Sequence, residues 1–305
     1  MTAHPFARAL QEKRPLILDG AMGTELQRRG VDTGLPLWSA RSLKTSPGVV
    51  LAVHREYIEA GSDIITTNTF RTTRRTFLRA RLPDESALLT ERATEIARQA
   101  REAFPDRHIL LAGSMAPLED CYRPDLVPPR DELEEEHGEL ANRLARAGVD
   151  FILLETMGTL REITAACAAA CATGREVVVS FLCDARGNLY GGEPMEKAVE
   201  AITPLGPAAV SLNCASVRHL PAAMDRLVRS TPLPFGVYGN VGLPEQERGW
   251  EFTRDVLADE YALHATRWQE AGASFIGGCC GTTPAYIRML VRALHATDRG
   301  RVDST

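Results

Sequence analysis

A closed (β/α)8 TIM barrel, built as one domain over residues 1–305, is the fold this sequence predicts. Three observations predict it. Eight short apolar runs alternate with eight segments of helical spacing. The runs are apolar almost throughout, which marks strands of a parallel sheet covered on both faces. A length of 305 residues suits one such barrel, which needs about 250 residues before insertions.

The elements follow in order. The first strand is expected at 15–20 (PLILDG), closing on Asp19-Gly20, with a loop over 31–45 and a helix over 47–61 between Pro47 and Gly61. The second is 63–70 (DIITTNTF), followed by a helix over 84–104. The third, 109–114 (ILLAGS), leads through a long loop at 115–129 to a helix over 131–148. That helix opens with acidic residues 131–136, where the helix dipole favours negative charge. Strand 151–156 (FILLET) precedes a helix at 159–173, and strand 177–183 (VVVSFLC) precedes one at 195–205. Strand 208–214 (AAVSLNC) and helix 217–230 lead to strand 235–240 (FGVYGN). A loop at 241–250, a helix at 253–272, the last strand at 275–280 (FIGGCC) and a helix at 284–296 complete the pattern. An open doubly wound sheet is the alternative, but the first strand lacks a Gly-rich nucleotide loop; PLILDGAMGTE is only weakly similar to one.

Composition excludes several classes. A formal net charge of -5 argues against nucleic acid as a partner. No apolar stretch approaches the ~20 residues of a membrane helix, and residues 1–10 hold no long apolar core, so neither a membrane partner nor a secretory signal is expected. Seven cysteines, an odd number, fit a reducing cytoplasm better than a disulfide framework. Cys167 and Cys171, four apart in an alanine-rich helix, read as small buried residues rather than a metal pair.

Barrel active sites lie at the C-terminal ends of the strands. Cys214 ends the sixth strand, and Cys279 and Cys280 end the eighth. Three thiolates there suit one tetrahedral zinc with a fourth position for substrate. Adjacent strand residues face opposite ways, so Cys279 and Cys280 share a metal only if the strand ends. Gly277, Gly278 and Gly281 permit that. A core cysteine or a strained disulfide is the competing account. Asp19 reads either as half of an Asp-Gly turn or as a site for a substrate ammonium, and Glu155 either as partner of an internal arginine or of the same ammonium. Thr67, Asn68, Thr69, Ser114, Asn213 and Asn240 fit substrate contacts and structural roles equally. Trp38 is either a cap on the barrel or a cation–π surface for a sulfonium or ammonium donor. Arginines 71, 74, 75, 79 and 81 read as a solvated helix face, with an anionic donor as the alternative.

The motifs LDGAMGTELQRRG, LWSARSL, ITTNTF, LLAGSMAPLEDCY, FILLET, VSLNC and IGGCCGTTP, in that order, resemble the homocysteine S-methyltransferase family over nearly the whole chain. The resemblance implies a (β/α)8 barrel with Cys214, Cys279 and Cys280 as zinc ligands. It implies that Asp19, Gly20 and Glu155 hold the amino-acid end of homocysteine, with Thr67 and Ser114 near that substrate. It implies small-molecule partners, homocysteine and a methyl donor. IGGCCGTTP and TNTF look most like the cobalamin-dependent methionine synthase, whose folate and corrinoid domains are expected to be absent here. LWSARSL and PLEDCY look most like enzymes that use S-methylmethionine, and Arg71 stands where betaine enzymes carry an aromatic.

The expected reaction is methyl transfer from S-methylmethionine or S-adenosylmethionine to a zinc-bound homocysteine thiolate, giving methionine. Alternatives are a homocysteine-activating subunit served by a separate corrinoid, folate or betaine methyl carrier, and a non-catalytic zinc or homocysteine-binding protein closed by Cys183 as fourth cysteine. A phosphate-binding aldolase or isomerase is a further alternative. Its Schiff-base form needs a strand-end lysine, and Lys13, Lys44 and Lys197 are not at strand ends.

Overall fold

The computed structural model describes residues 4–12, 14–242 and 256–302. Its strands are β1 (Leu16–Ile17), β2 (Ile64–Thr66), β3 (Leu110–Met115), β4 (Phe151–Met157), β5 (Glu176–Phe181), β6 (Ala209–Ser216), β7 (Phe235–Asn240) and β8 (Phe275–Gly278). They form one parallel sheet in the order β1-β8-β7-β6-β5-β4-β3-β2. A parallel bridge between Leu18 and Ile64 joins β1 to β2 and closes the barrel.

Side-chain alternation divides the strands between two layers. Leu16, Leu18, Ile64, Leu110, Ala112, Phe151, Leu153, Val178, Ala209, Tyr238 and Phe275 pack together inside the barrel. Ile17, Ile152, Leu154, Val177, Val179, Val210, Val237 and Ile276 pack outward against the helices. Burial on both faces is why the strand sequences lack polar alternation. Carried towards the C-terminal ends, the inward series becomes polar: Thr66, Ser114, Glu155, Ser180, Asn213 and Asn240. The mouth of the barrel therefore inherits its chemistry from the same two-residue period that fills the core.

Eight barrel helices cover the sheet: α1 (Pro47–Ala60), α2 (Ser86–Glu102), α3 (Arg130–Ala147), α4 (Leu160–Cys171), α5 (Met195–Ile202), α6 (Leu220–Ser230), α7 (Ala258–Glu270) and α8 (Pro284–Val302). Pro47 occupies the first turn of α1, where its missing N–H costs nothing, and Gly61 ends the helix at φ 113. Gly148 ends α3 in the same left-handed way. Helix α7 begins at Ala258, later than the expected 253, and the expected loop at 241–250 lies outside the described residues from 243 onward. The 31–45 segment is no simple loop. It winds into a 3-10 turn (Trp38–Arg41) and a short helix (Ser42–Thr45), which Asn68 Nδ2 holds by donating to the Ser39 carbonyl at 3.0 Å.

The bottom of the barrel is plugged. A short helix, Pro5–Ala9, carries Phe6 between the first residues of two strands, with ring centroids 4.5 Å from Phe151 and 5.6 Å from Phe275. The backbone N–H groups of Phe6 and Ala7 both donate to the Glu176 carboxylate at 2.8 Å. Among the described residues, no helix is long and apolar enough to cross a membrane.

Candidate metal centre and substrate pocket

The sulfurs of Cys214, Cys279 and Cys280 lie within 4.8 Å of one another at the mouth of the barrel. Two different backbone devices bring them there. Strict alternation would turn Cys214 outward, since Asn213 follows the inward series. Instead, β6 slips register against β7 between Asn213 and Ser216, and Cys214 takes φ 57. The bulge and the left-handed residue rotate the sulfur inward. The other pair follows the end of β8 at Gly278, so strand alternation no longer applies. Cys279 N–H donates to the Gly239 carbonyl at 2.9 Å, and Gly281 reverses the chain at φ 82. Asn240 ties the two devices together: its Nδ2 donates to the Cys214 carbonyl at 2.6 Å and its Oδ1 accepts from Cys280 N–H at 3.0 Å.

The cluster favours anionic sulfur at one position. S–H donation from Cys279 and Cys280 holds Cys214 well below the usual thiol range and pushes those two thiols well above it. Cys183, the candidate fourth cysteine, pairs with Leu189 in a β-bridge and is not part of the cluster. Cys167 and Cys171 stand 4.0 Å apart on α4 without a third ligand beside them among the described residues.

Two carboxyl groups share the mouth with the sulfurs. Asp19 is 4% exposed; it accepts from Thr66 N–H and Thr66 Oγ1, both at 2.8 Å. Burial still pushes its pKa up to about 7, against the pull of those two bonds. Glu155 is likewise raised to about 8, first by burial, then by the charges of Asp19 and Cys214, while its bond from Ser114 Oγ opposes the shift. Like Cys214, Glu155 lies at a bulge, between Leu154 and Met157, beside a left-handed residue, Thr156 at φ 63. A pair of desolvated carboxyls has much to gain from one cation placed between them.

A homocysteine S-methyltransferase family model matches residues 16–294. The chain belongs to the homocysteine S-methyltransferase family. It is 33% identical to homocysteine S-methyltransferase of Escherichia coli over 94% of this chain and 97% of that one. It is 30% identical to homocysteine S-methyltransferase YbgG of Bacillus subtilis over 93% of this chain and 96% of that one. The metallated form of the Escherichia coli homocysteine methyltransferase MmuM has a TM-score of 0.82 at 31% identity, covering 95% of this chain and 99% of that one.

The other residues singled out in the sequence sit around this core. Gly20 packs where a Cβ would stand 2.8 Å from the Tyr57 hydroxyl and 2.7 Å from Thr282 Oγ1, so only glycine lets the chain pass. Thr67 lies one step behind the pocket. Its hydroxyl accepts from Ser114 N–H at 3.1 Å and meets Thr69 Oγ1 at 2.8 Å, and Thr69 in turn donates to the Ser114 carbonyl. Both threonines therefore set Ser114, whose hydroxyl sets Glu155. Trp38, at φ 49, closes over Gly23, where a Cβ would meet its Nε1 at 2.4 Å.

Three residues at the site carry signals too weak to single out in the sequence. Tyr122 Oη lies 3.4 Å from Cys214 Sγ and 3.3 Å from its carbonyl. Thr156 supplies the left-handed turn of β4, and Asn213 braces it by accepting from its N–H at 2.9 Å. Tyr238 is 2% exposed inside the barrel; its hydroxyl lies beside Ser180 but outside hydrogen-bonding geometry. In the basic run, Arg74, Arg79 and Arg81 lie on an exposed face, and Arg75 alone turns inward to acidic partners. Arg75 is mostly buried and pairs with Glu119, Glu132 and Glu136, Arg79 pairs with Glu119, and Arg74 with Glu135. Arg74 and Arg75 thus pair with the acidic first turns of α3, and Arg75 and Arg79 share Glu119.

Proposed function

We propose that this chain catalyses transfer of a methyl group from a sulfonium donor, S-methylmethionine or S-adenosylmethionine, to the sulfur of homocysteine, forming methionine. The observation that carries this reading is the placement of three cysteine sulfurs within 4.8 Å of one another beside two desolvated carboxyls at one barrel mouth. A thiol and an ammonium in one small amino acid match those two features.

Zinc fits the donor set: three soft sulfurs leave a tetrahedral ion one position for a substrate sulfur. When bound by Cys214, Cys279 and Cys280, zinc supplies a substrate thiolate at neutral pH, where a thiol of pKa about 8.5 is mostly protonated. The protein residues do the rest. Asp19, oriented by Thr66, and Glu155, oriented by Ser114, receive the ammonium. Backbone at Gly20 passes close to Tyr57 and Thr282 and shapes the amino-acid end of the pocket. The homocysteine sulfur forms the new bond to the methyl carbon. The donor's carbon–sulfur bond breaks with its electron pair left on the donor sulfur, which departs as a neutral thioether. A cationic donor suits a site whose ligands are anionic, and the arginines of the 71–81 run that pair with Glu119, Glu132, Glu135 and Glu136 are not available to an anionic one.

The test is methionine formation by zinc-loaded protein with homocysteine and, separately, S-methylmethionine, S-adenosylmethionine, betaine or methyltetrahydrofolate. Turnover with a sulfonium is expected, and Cys214→Ala is expected to lose both metal and turnover. A fully active, metal-free Cys214→Ala protein would refute the reading. Homocysteine binding without turnover from any donor would favour a separate methyl carrier.

A further inference from the structure

We infer that Tyr122 and Tyr190 form the wall of the methyl-donor subsite, with the sulfonium cation resting on the Tyr190 ring and its methyl group directed at the three-cysteine cluster. This rests on the sulfonium reading above and names the residues that would enforce it.

The two tyrosines come from different loops and pack against each other beside Cys214. Tyr122, in the loop after β3, reaches Cys214 Sγ with its hydroxyl at 3.4 Å. Tyr190, in the loop after β5, meets the Tyr122 ring at 5.5 Å between centroids and 79° between planes. Tyr190 therefore stands one ring away from a metal-ligand sulfur. Its position is fixed by its neighbours. Tyr190 N–H donates to the Leu182 carbonyl at 3.0 Å, and Gly191 N–H donates to the Gly158 carbonyl at 2.8 Å. Gly158 itself packs closely, since a Cβ there would lie 3.3 Å from Tyr190 Cβ. Loops after three successive strands thus hold one aromatic corner.

The corner is suited to a cation. In an edge-to-face pair the edge of one ring meets the face of the other, so Tyr190 keeps at least one face outside the pair. Tyr190 is 38% exposed, so part of its ring is open for a ligand to cover. The face of an aromatic ring carries negative charge density and attracts onium cations, as in the recognition of quaternary ammonium groups. The adjacent cysteines add to that attraction. Transfer of the methyl group removes it: the sulfonium becomes a neutral thioether, which the ring holds less tightly, so the same contact favours substrate over product.

The test uses the zinc-loaded full chain with S-methylmethionine and S-adenosylmethionine as donors. Tyr190→Leu is expected to raise the donor KM about tenfold. Its homocysteine KM, bound metal and melting temperature should match the parent protein. Tyr190→Phe keeps a ring face and should stay within about twofold of the parent. A Tyr190→Leu donor KM equal to the parent's, in a protein that turns over a sulfonium, would overturn the subsite alone. A rise in homocysteine KM equal to that in donor KM would mark Tyr190 as merely structural and overturn it too. No turnover of either sulfonium by the parent would overturn the donor reading and the subsite with it.

Discussion

Glu155→Gln offers a test in which stability and function move in opposite directions. The carboxyl is raised from an ordinary 4.5 to about 8, chiefly because burial disfavours its charge. Unfolding releases it to water, where it ionises at its ordinary value. A raised folded-state value means the folded protein holds the proton more tightly, so this group's contribution is most favourable below pH 4.5 and is lost as pH rises towards 8. At pH 6 the loss corresponds to about 1.5 pKa units and at pH 9 to about 3.5, and each unit is about 1.4 kcal/mol. Glutamine has no charge to desolvate and still accepts the hydrogen bond from Ser114 Oγ. The variant should therefore gain on the parent by about 2.8 kcal/mol between pH 6 and pH 9. For a chain of this size that is roughly 5 °C in melting temperature, measured as the difference between the two proteins at each pH so that the thiols cancel. The same change should weaken homocysteine binding about ten- to a hundredfold, since a charge-assisted bond to the ammonium is worth roughly 1.5–3 kcal/mol. A stability difference independent of pH would refute the desolvated carboxyl. Unchanged homocysteine affinity would refute its role with the ammonium.

Three other perturbations separate scaffold from site. Phe6→Ala should cost about 3–5 kcal/mol in denaturant unfolding by emptying the bottom plug, yet leave KM values unchanged because Phe6 lies at the opposite end from the cysteines. His54 is fully buried on α1 with neither ring nitrogen partnered, and burial lowers its pKa from 6.5 to about 4. Stability from the neutral ring is complete above pH 6.5 and falls as pH drops towards 4, by about 2 kcal/mol at pH 5, and His54→Leu should flatten that acid-side slope in urea titrations. Gly281→Ala places a Cβ 2.4 Å from Val241 Cγ2 at φ 82, so it should reduce bound metal per chain in elemental analysis and lower the melting temperature. Full metal occupancy in that variant would show that the turn after Cys280 tolerates a side chain.

The barrel was legible because burial on both faces writes each strand as a continuous apolar run, and because Pro and Gly mark the ends of α1 and α3. FIGGCC was legible for a related reason: glycines around a cysteine pair announce that the strand stops. What the sequence hides is the orientation of residues that break alternation without glycine. Cys214 and Glu155 owe their aim to bulges, and the left-handed positions are Cys214 itself and Thr156, which no local rule selects. Tyr122 reaches Cys214 across 92 residues of sequence, so nothing near it in the chain signals the contact. The arginine run and the acidic helix start were each readable as charged segments. The pairing of Arg75 with Glu136 was not, because the two are 61 residues apart.

Two asparagines explain how such deviations persist. A left-handed, non-glycine residue costs about 1–3 kcal/mol and survives only where its surroundings fix it. Asn213 accepts from Thr156 N–H at 2.9 Å and from Ser180 Oγ at 2.8 Å, and donates to Thr156 Oγ1 at 3.2 Å, so the bulge that presents Glu155 is braced from the strand that presents Cys214. Asn240 braces the Cys214 carbonyl against the Cys280 N–H in the same way. Both are buried at the ends of inward series, where an unbraced amide would itself be costly. The carboxyl proposed to meet the ammonium and the sulfurs that would meet a metal are therefore set by one hydrogen-bonded frame. Under the proposed function, that frame measures the ammonium end and the sulfur end of one substrate against each other, so the separation between them in the ligand, and not either group alone, becomes the quantity the site selects.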